Sequence, residues 1–480
     1  MKFYLKGHDR INPVLQLLIC LYPDEDHINC LWDGHPEGEY VVSEVRHTTE
    51  GISVSAQGYW GGRAELICPD NIGENDPALS EYIRRVLFLL LSESLGNPPA
   101  WGMLTGVKPS KLVRNMLTGG VSLADVKKQL EERYFVSESR SSLCIETGIV
   151  SQKMSLSVSK KDIEIYVGIP FCPAKCAYCS FVSNDVRRWG HMVEPYLETL
   201  LYEIKGMGKV LRQHNRSIKS LYIGGGTPSI LSEDQLYRLI SALRSYLDLS
   251  SLQEFTLEAG RPETITEEKL KTAYTGGVRR ISINPQTMNE SVLKGVGRLH
   301  TSADIVDCYR MARNVAPFEI NMDLIAGLPA DDDYSLIDSV QRVVELDPEN
   351  ITLHCMARKK GAPLRFGRTG ELSTETVDHC HAIIRGAGYR PYYLYRQKYI
   401  AGGLENVGFA KPGTQCRYNI VMMEEIGDVA ALGSGGVTKL VYENGSIERI
   451  TNPKYPAEYI ERREGIDNNL LALSNALEKD

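Results

Sequence analysis

Between residues 163 and 355, short β-branched runs alternate with longer stretches in which apolar positions recur at helical spacing. The runs are "EIYVGIP", "SLYIGGG", "EFTLEAG", "RISINPQ", "INMDLIAG" and "NITLHC". Their β-branched and apolar residues predict strands. Between them, "EPYLETLLYEIKGMGKVL" and "SEDQLYRLISALRSYL" place apolar residues on one helical face. The second opens with Ser232 followed by Gln235, the spacing of a capping box. Alternation of this kind predicts right-handed crossovers and a parallel sheet of six βα units. Such an array curls into a partial barrel, with an open doubly wound sheet as the competing architecture. In either, chemistry gathers at the carboxyl ends of the strands.

The flanks follow other patterns. In residues 1–155, the runs "FYLKG", "EYVVSEVRH" and "GISVSAQGYW" predict strands, followed by a helix from Pro77 to Glu93. "WGMLTGVKPSKLVRNMLTGG" reads as a turn, a helix and a glycine stop. We expect an N-terminal α+β domain here, bounded by the polar "SQKMSLSVSKKD" at 151–162. A core domain then spans 160–360. Residues 361–480 form a less regular C-terminal α+β extension, expected to cover the substrate. Six tyrosines between 389 and 418 suggest a surface that meets something flat, although packing is their commoner use.

At 480 residues the chain exceeds one ordinary core, and 42% hydrophobic with 24% charged residues is usual for folded domains. A net charge of −7 argues against non-specific nucleic-acid binding. The longest apolar run, "VLFLLL" at 86–91, suits a buried helix and not a membrane span. Charges and a proline interrupt the start of the chain where a leader peptide needs an apolar run, so a cytoplasmic protein is expected. Of eleven cysteines, Cys20, Cys30, Cys68, Cys144, Cys308, Cys355, Cys380 and Cys416 are scattered singly and are expected as reduced thiols.

Cys172, Cys176 and Cys179 are different. They sit in "YVGIPFCPAKCAYCSF", a CxxxCxxC frame directly after the first strand. A structural zinc site normally has four ligands; Phe181 stands where a fourth would be convenient, and His191 is a helix away. "CAYC" alone is compatible with a redox pair, but Cys172 is then left over. Three cysteines suit a 4Fe–4S cluster that keeps one iron open to a non-protein ligand. Zinc and a redox dithiol stay as alternatives on these residues alone.

The cysteine loop within a six-unit βα array resembles the radical S-adenosylmethionine (SAM) superfamily. "GGGTPS", "INPQTMN…GRLH" and "DLIAGLP" are similar to motifs of the oxygen-independent coproporphyrinogen oxidase group, which includes haem chaperones. "WGMLTGVKPSKL" and "YRQKYIAGGLENVGFAKPG" resemble one subgroup, the HemZ-type coproporphyrinogen dehydrogenases. The resemblance implies a 4Fe–4S cluster on Cys172, Cys176 and Cys179, with SAM on its open iron. It implies SAM contacts from Tyr166, from the backbone of Gly225, Gly226 and Thr227, and from Glu258. A second SAM, known in the oxidases, would be lined by Tyr178, Gln286, Arg298, Asp323 and Ala357. Read alone, the glycine run is more often a tight turn, and His300 reads as a capping or surface group.

The implied reaction is hydrogen abstraction from the propionates of coproporphyrinogen III and loss of CO₂, giving protoporphyrinogen IX. A low-potential donor, flavodoxin or ferredoxin, is implied with it. Lys175, Arg261, Arg396, Lys398, Lys411 and Arg417 are candidate partners for the tetrapyrrole carboxylates, chosen for nearness to strand ends or to the C-terminal segment. The chain departs from the group at four places. Gly168 stands for a histidine, Phe181 for an additional cysteine, and "EAGRP" lacks the usual asparagine or aspartate before proline. Tyr418, in "RYNIVMM", replaces the histidine of the chaperones' haem motif. Haem or porphyrin trafficking, and another radical reaction on a tetrapyrrole, are the alternatives.

Overall fold

The computed structural model describes residues 1–22, 25–96, 99–105, 108–181, 183–357, 372–397, 400 and 403–479. The chain divides into two units, Met1–Ile145 with Tyr395–Glu405, and Glu146–Leu394 with Asn406–Asp480. Among the described residues no helix is long and apolar enough to cross a membrane.

The first unit runs β1 (Lys2–Lys6), α1 (Ile11–Leu21), β2 (Ile28–Cys30), β3 (Tyr40–Thr48), β4 (Gly51–Gly58), β5 (Arg63–Ile67), α2 (Leu79–Leu95), α3 (Pro109–Thr118) and α4 (Leu123–Lys128). Its sheet has the order β2-β1-β3-β4-β5. Leu17 and Leu18 of α1 and Ile83 and Leu87 of α2 pack with Phe3, Val45 and Val54 of the sheet. The returning segment is pinned by a buried carboxylate. Glu405 accepts from Trp101 Nε1–H at 2.6 Å and pairs with Arg140 at 3.0 Å.

Helix α5 (Glu138–Ser157) contains the division between the units. The stretch expected as a polar boundary therefore begins inside a helix. Its serines satisfy themselves there: Ser155 donates to the Gln152 carbonyl, and buried Ser151 to Glu424. The second unit continues with β6 (Asp162–Ile169), β7 (Phe171–Cys172), β8 (Asn184–Asp185), α6 (Val186–Trp189), α7 (Val193–Gln213), β9 (Ser217–Gly225), α8 (Glu233–Tyr246) and β10 (Glu254–Gly260). Next come α9 (Glu267–Thr275), β11 (Arg280–Ile283), α10 (Glu290–Gly295), α11 (Ser302–Val315), β12 (Glu319–Ala326), α12 (Asp333–Leu346) and β13 (Asn350–Cys355). The capping box at the start of α8 is present in both directions.

The C-terminal stretch supplies α13 (Thr374–Gly386), β14 (Arg390–Tyr395), β15 (Asn406–Ala410), α14 (Arg417–Glu424), β16 (Asp428–Leu432), β17 (Val437–Val441), β18 (Ile447–Thr451), α15 (Pro456–Glu461) and α16 (Arg463–Leu477). It does not stand apart from the core as the sequence suggested. All described strands of the second unit except β7 and β8 form one sheet, β14-β15-β13-β12-β11-β10-β9-β6-β16-β17-β18. The six expected parallel strands are its centre, an open run consistent with a partial barrel. β16 adds a seventh parallel strand beside β6, and β15 pairs antiparallel with β13. Both edges of the six-strand array would otherwise leave backbone groups unpaired, and the chain's return covers them. Glu203 of α7 ties this return down, accepting from Gly433 N–H, Asn452 and Tyr459 within 2.6–2.7 Å.

The same return closes the amino-terminal end of the sheet. The Thr414 carbonyl accepts from Asn350 Nδ2 (2.8 Å) and Arg280 Nη2 (2.9 Å), on the first residues of β13 and β11. Arg417 N–H donates to Glu254, the first residue of β10, at 2.7 Å. The carboxyl end carries the cysteine loop.

Candidate functional site

Two glycines let the turn after β9 lie against the cysteine loop. A Cβ on Gly225, whose φ is +116°, would stand 3.0 Å from the Ile169 backbone. One on Gly226 would stand 2.6 Å from the Phe171 carbonyl and 2.9 Å from Cys172 Sγ. The Gly226 distances are closer than side chains tolerate, and at Gly225 the tight contact adds to a left-handed backbone that favours glycine. Gly226 N–H donates to the Ile169 carbonyl and Thr227 N–H to the Phe171 carbonyl, each at 2.8 Å. The Thr227 hydroxyl reaches Cys172 Sγ at 3.4 Å. Arg261, directly after β10, donates to Cys176 Sγ at 2.9 Å. Cys172 and Cys176 are buried, and burial pushes the Cys172 and Cys179 thiols up.

Beside the glycine turn, three tyrosines stack. Tyr222 lies 4.5 Å from Tyr418 and 6.3 Å from Tyr166, ring centre to ring centre and nearly parallel. The Tyr222 hydroxyl donates to Glu258 Oε1 at 2.5 Å, and Gly225 N–H donates to Glu258 Oε2 at 3.2 Å. Burial raises the Glu258 carboxyl to about 7, opposed by the Tyr222 hydrogen bond and reinforced by the Asp323 charge.

A second group gathers at the ends of β11 and β12. Gln286, held at φ +69°, bridges to β12: its N–H donates to the Asp323 carbonyl at 2.9 Å, and its own carbonyl accepts from Ile325 N–H at 2.8 Å. Asn284 links Arg298 to Asp323, accepting from Arg298 Nη2 on its carbonyl (2.8 Å) and from Asp323 N–H on its side chain (3.3 Å). Arg298 is buried, and among the described residues its Nε–H has no partner. Tyr178 packs on an apolar patch that includes Val292, Val296 and Ile325. Ala357 is buried just past β13.

The candidate cations fare differently. Lys175 is exposed on the cysteine loop. Arg261 is taken by Cys176. Arg396 lies in the first unit, donating to the Gly403 carbonyl with its guanidinium over Trp101. Lys398 lies outside the described residues. Lys411 and Arg417 are at the wrong end of the sheet. Lys411 pairs with Asp347 at 2.7 Å, and Arg417 pairs with Glu164 at 2.9 Å in the amino-terminal plug. Charge and chain position alone do not say which end of a strand a cation serves. His300 is buried against Glu263, not at the surface. Burial works to raise the Glu263 carboxyl, but His300 and Arg261 hold it down at about 2. Tyr392 and Tyr393 are packed, not presented.

The sequence reading missed Tyr222, Asn284 and the inward turn of Tyr418. Tyr222 had a signal. "YVG" in β6 and "YIG" in β9 repeat one pattern, and the register pairs Tyr166 with Tyr222 and Gly168 with Gly224.

The residues present fit an iron–sulfur group. Three thiols lie on one loop, an N–H donor reaches Cys176 and a hydroxyl reaches Cys172, and Gly226 leaves no side chain between the loop and the turn. Among the described residues no set of three metal-binding side chains is already drawn into a cage. Phe181, at the additional-cysteine position, is exposed.

Residues 166–342 match the radical SAM superfamily. The chain is 33% identical over 490 residues to the oxygen-independent coproporphyrinogen-III oxidase-like protein HemZ of Bacillus subtilis (strain 168), covering 98% of this chain and 97% of that protein. It is 28% identical over 308 residues to the heme chaperone HemW of Escherichia coli (strain K12), covering 63% of this chain and 76% of that protein. The fold is similar to that of coproporphyrinogen III oxidase (HemN) from Escherichia coli, a radical SAM enzyme, with a TM-score of 0.51 and 21% identity over 66% of this chain and 72% of that one. With the thiol loop and its glycine turn at the carboxyl end of a parallel sheet, and a relative matched from end to end, this chain belongs to the HemZ family of oxygen-independent coproporphyrinogen-III oxidase-like proteins, within a superfamily whose cofactors are a 4Fe–4S cluster and SAM.

Proposed function

We propose that this protein decarboxylates two propionates of coproporphyrinogen III to the vinyl groups of protoporphyrinogen IX without oxygen. The observation that carries the reading is the meeting of the cysteine loop, the Gly225–Thr227 turn and the Glu258 carboxylate at one end of the sheet, in a chain that matches HemZ throughout. Cys172, Cys176 and Cys179 would hold the cluster. Tyr166, Gly225, Gly226, Thr227 and Glu258 would receive SAM, and Tyr178, Gln286, Arg298, Asp323 and Ala357 would line a second SAM. When bound, these cofactors supply a hydrogen-abstracting 5′-deoxyadenosyl radical. The chain's own part is to orient and to exclude water. Glu258, fixed by Tyr222 and Gly225, offers a preset acceptor to an ammonium or a ribose diol. Arg298 offers a carboxylate its Nε–H, which has no partner among the described residues. The segment 411–424 ties together the amino ends of β10, β11 and β13. Each propionate would give up a β-hydrogen atom to that radical, then CO₂, and one electron to a one-electron acceptor, while flavodoxin or ferredoxin would reduce the cluster.

The test is anaerobic incubation of the reconstituted protein with reductant, SAM and coproporphyrinogen III, followed by mass spectrometry beside Cys176→Ala. Loss of CO₂ from two propionates in the wild type alone supports the reading. The likeness to HemW favours a second reading, haem trafficking. Against it, Tyr418 is turned inward onto Tyr222, and Asn419 Nδ2 donates to the Tyr392 hydroxyl at 3.3 Å. Stoichiometric haem binding without SAM cleavage would favour trafficking.

A further inference from the structure

Behind the cysteine loop lies a chain of polar groups in which Arg261 and His300 are buried and Glu263, between them, reaches solvent. Arg261 is 5% exposed, and one of its nitrogens, Nη2, faces both the Ala174 carbonyl (2.8 Å) and Cys176 Sγ (2.9 Å). Its Nη1 stands 3.4 Å from Glu263 Oε1. Glu263 Oε2 is 3.2 Å from Nδ1 of His300, itself 4% exposed. A guanidinium is costly to bury without an anion, and the carboxylate contact is the longest of the three that Arg261 makes here. The close contacts are to the loop backbone and the sulfur.

We propose that Arg261 is the positioning residue of the cluster loop: it fixes Cys176 and sets the cluster's reduction potential, and Glu263, braced by His300, limits that effect. This rests on the assignment of the three cysteines as cluster ligands, and not on the identity of the substrate. Positive charge and N–H donors at a ligating sulfur favour the electron-rich reduced cluster, so they raise the potential. A carboxylate behind the guanidinium acts in the opposite direction. Arginine suits the position because one planar fork serves a carbonyl, a sulfur and a carboxylate, which a lysine ammonium on a flexible stem does not.

The signs give the test. Full-length wild type, Arg261→Gln, Arg261→Lys and Glu263→Gln are reconstituted anaerobically. Iron and sulfide are counted, and the midpoint potential is followed by electron paramagnetic resonance. Arg261→Gln should shift the potential negative and Glu263→Gln should shift it positive, with Arg261→Lys between wild type and Arg261→Gln. Loosened packing alone has no reason to move the two in opposite directions. Shifts of the same sign, or none, overturn the proposal. Should Arg261→Gln take up no iron, Glu263→Gln and Arg261→Lys decide: an unmoved potential in Glu263→Gln overturns it. Iron and sulfide bound in full by a Cys172→Ala, Cys176→Ala, Cys179→Ala triple variant would overturn the ligand assignment, and this inference with it.

Discussion

The proposed SAM contact of Glu258 can be perturbed by pH. In the ligand-free protein, burial holds this carboxyl at about 7 instead of the usual 4.5. The Tyr222 hydroxyl and Gly225 N–H pull the value down, Asp323 pushes it up, and the Tyr166 and Tyr418 phenols face it across the tyrosine stack. Only the carboxylate accepts from an ammonium or from both ribose hydroxyls, so SAM binds the ionised form and affinity rises with pH. With a pKa of about 7, roughly a tenth of the sites are ionised at pH 6 and roughly nine-tenths at pH 8. Apparent affinity scales with the competent fraction, so Kd falls about tenfold between these pH values. Equilibrium dialysis of SAM against the reconstituted protein measures it. Glu258→Gln is the control, because it retains the titration of SAM's own amino group and loses that of the carboxyl. A wild-type profile no steeper than that of Glu258→Gln would refute the reasoning.

Three further outcomes follow from the geometry. Tyr222→Phe removes a donor from the Glu258 carboxylate, worth about 1.5–3 kcal/mol, so the midpoint of the SAM-binding profile should move up by about one to two pH units in the same dialysis. Gly226→Ala forces a methyl against Cys172 Sγ, an overpacking cost of about 1–3 kcal/mol, and iron and sulfide content should drop while secondary structure by circular dichroism stays. Arg417→Met strands the buried Glu164 carboxylate, costing about 3–5 kcal/mol. Its Tm should fall, and KM for the tetrapyrrole should not change.

The core was legible because its strands and helices carry their own periodicity, and the cysteine loop because three thiols at that spacing have few other uses. What escaped depends on contacts across long chain separations. Nothing local in "DVAAL" marks β16 as a strand that closes the edge at β6, since its partner is fixed by the open edge and not by its own pattern. The amino-terminal plug is similar: Thr414 and Arg417 are unremarkable until Glu254, Arg280 and Asn350 are brought beneath them. Cations were the least legible. Arg261 and Arg417 both lie near strand ends, yet one meets a thiol and the other a buried acid at the opposite end of the sheet. The Tyr222 rung, by contrast, could have been read from the repeated Tyr-x-Gly of β6 and β9.

The central claim is that SAM cleavage at this cysteine loop is spent on propionate decarboxylation. It is tested most directly by counting 5′-deoxyadenosine against vinyl groups formed in one anaerobic reaction with coproporphyrinogen III. The account predicts one deoxyadenosine for each vinyl group, and neither product in Cys176→Ala. Deoxyadenosine without vinyl formation, or no SAM cleavage by a protein whose cluster is spectroscopically intact, would contradict it.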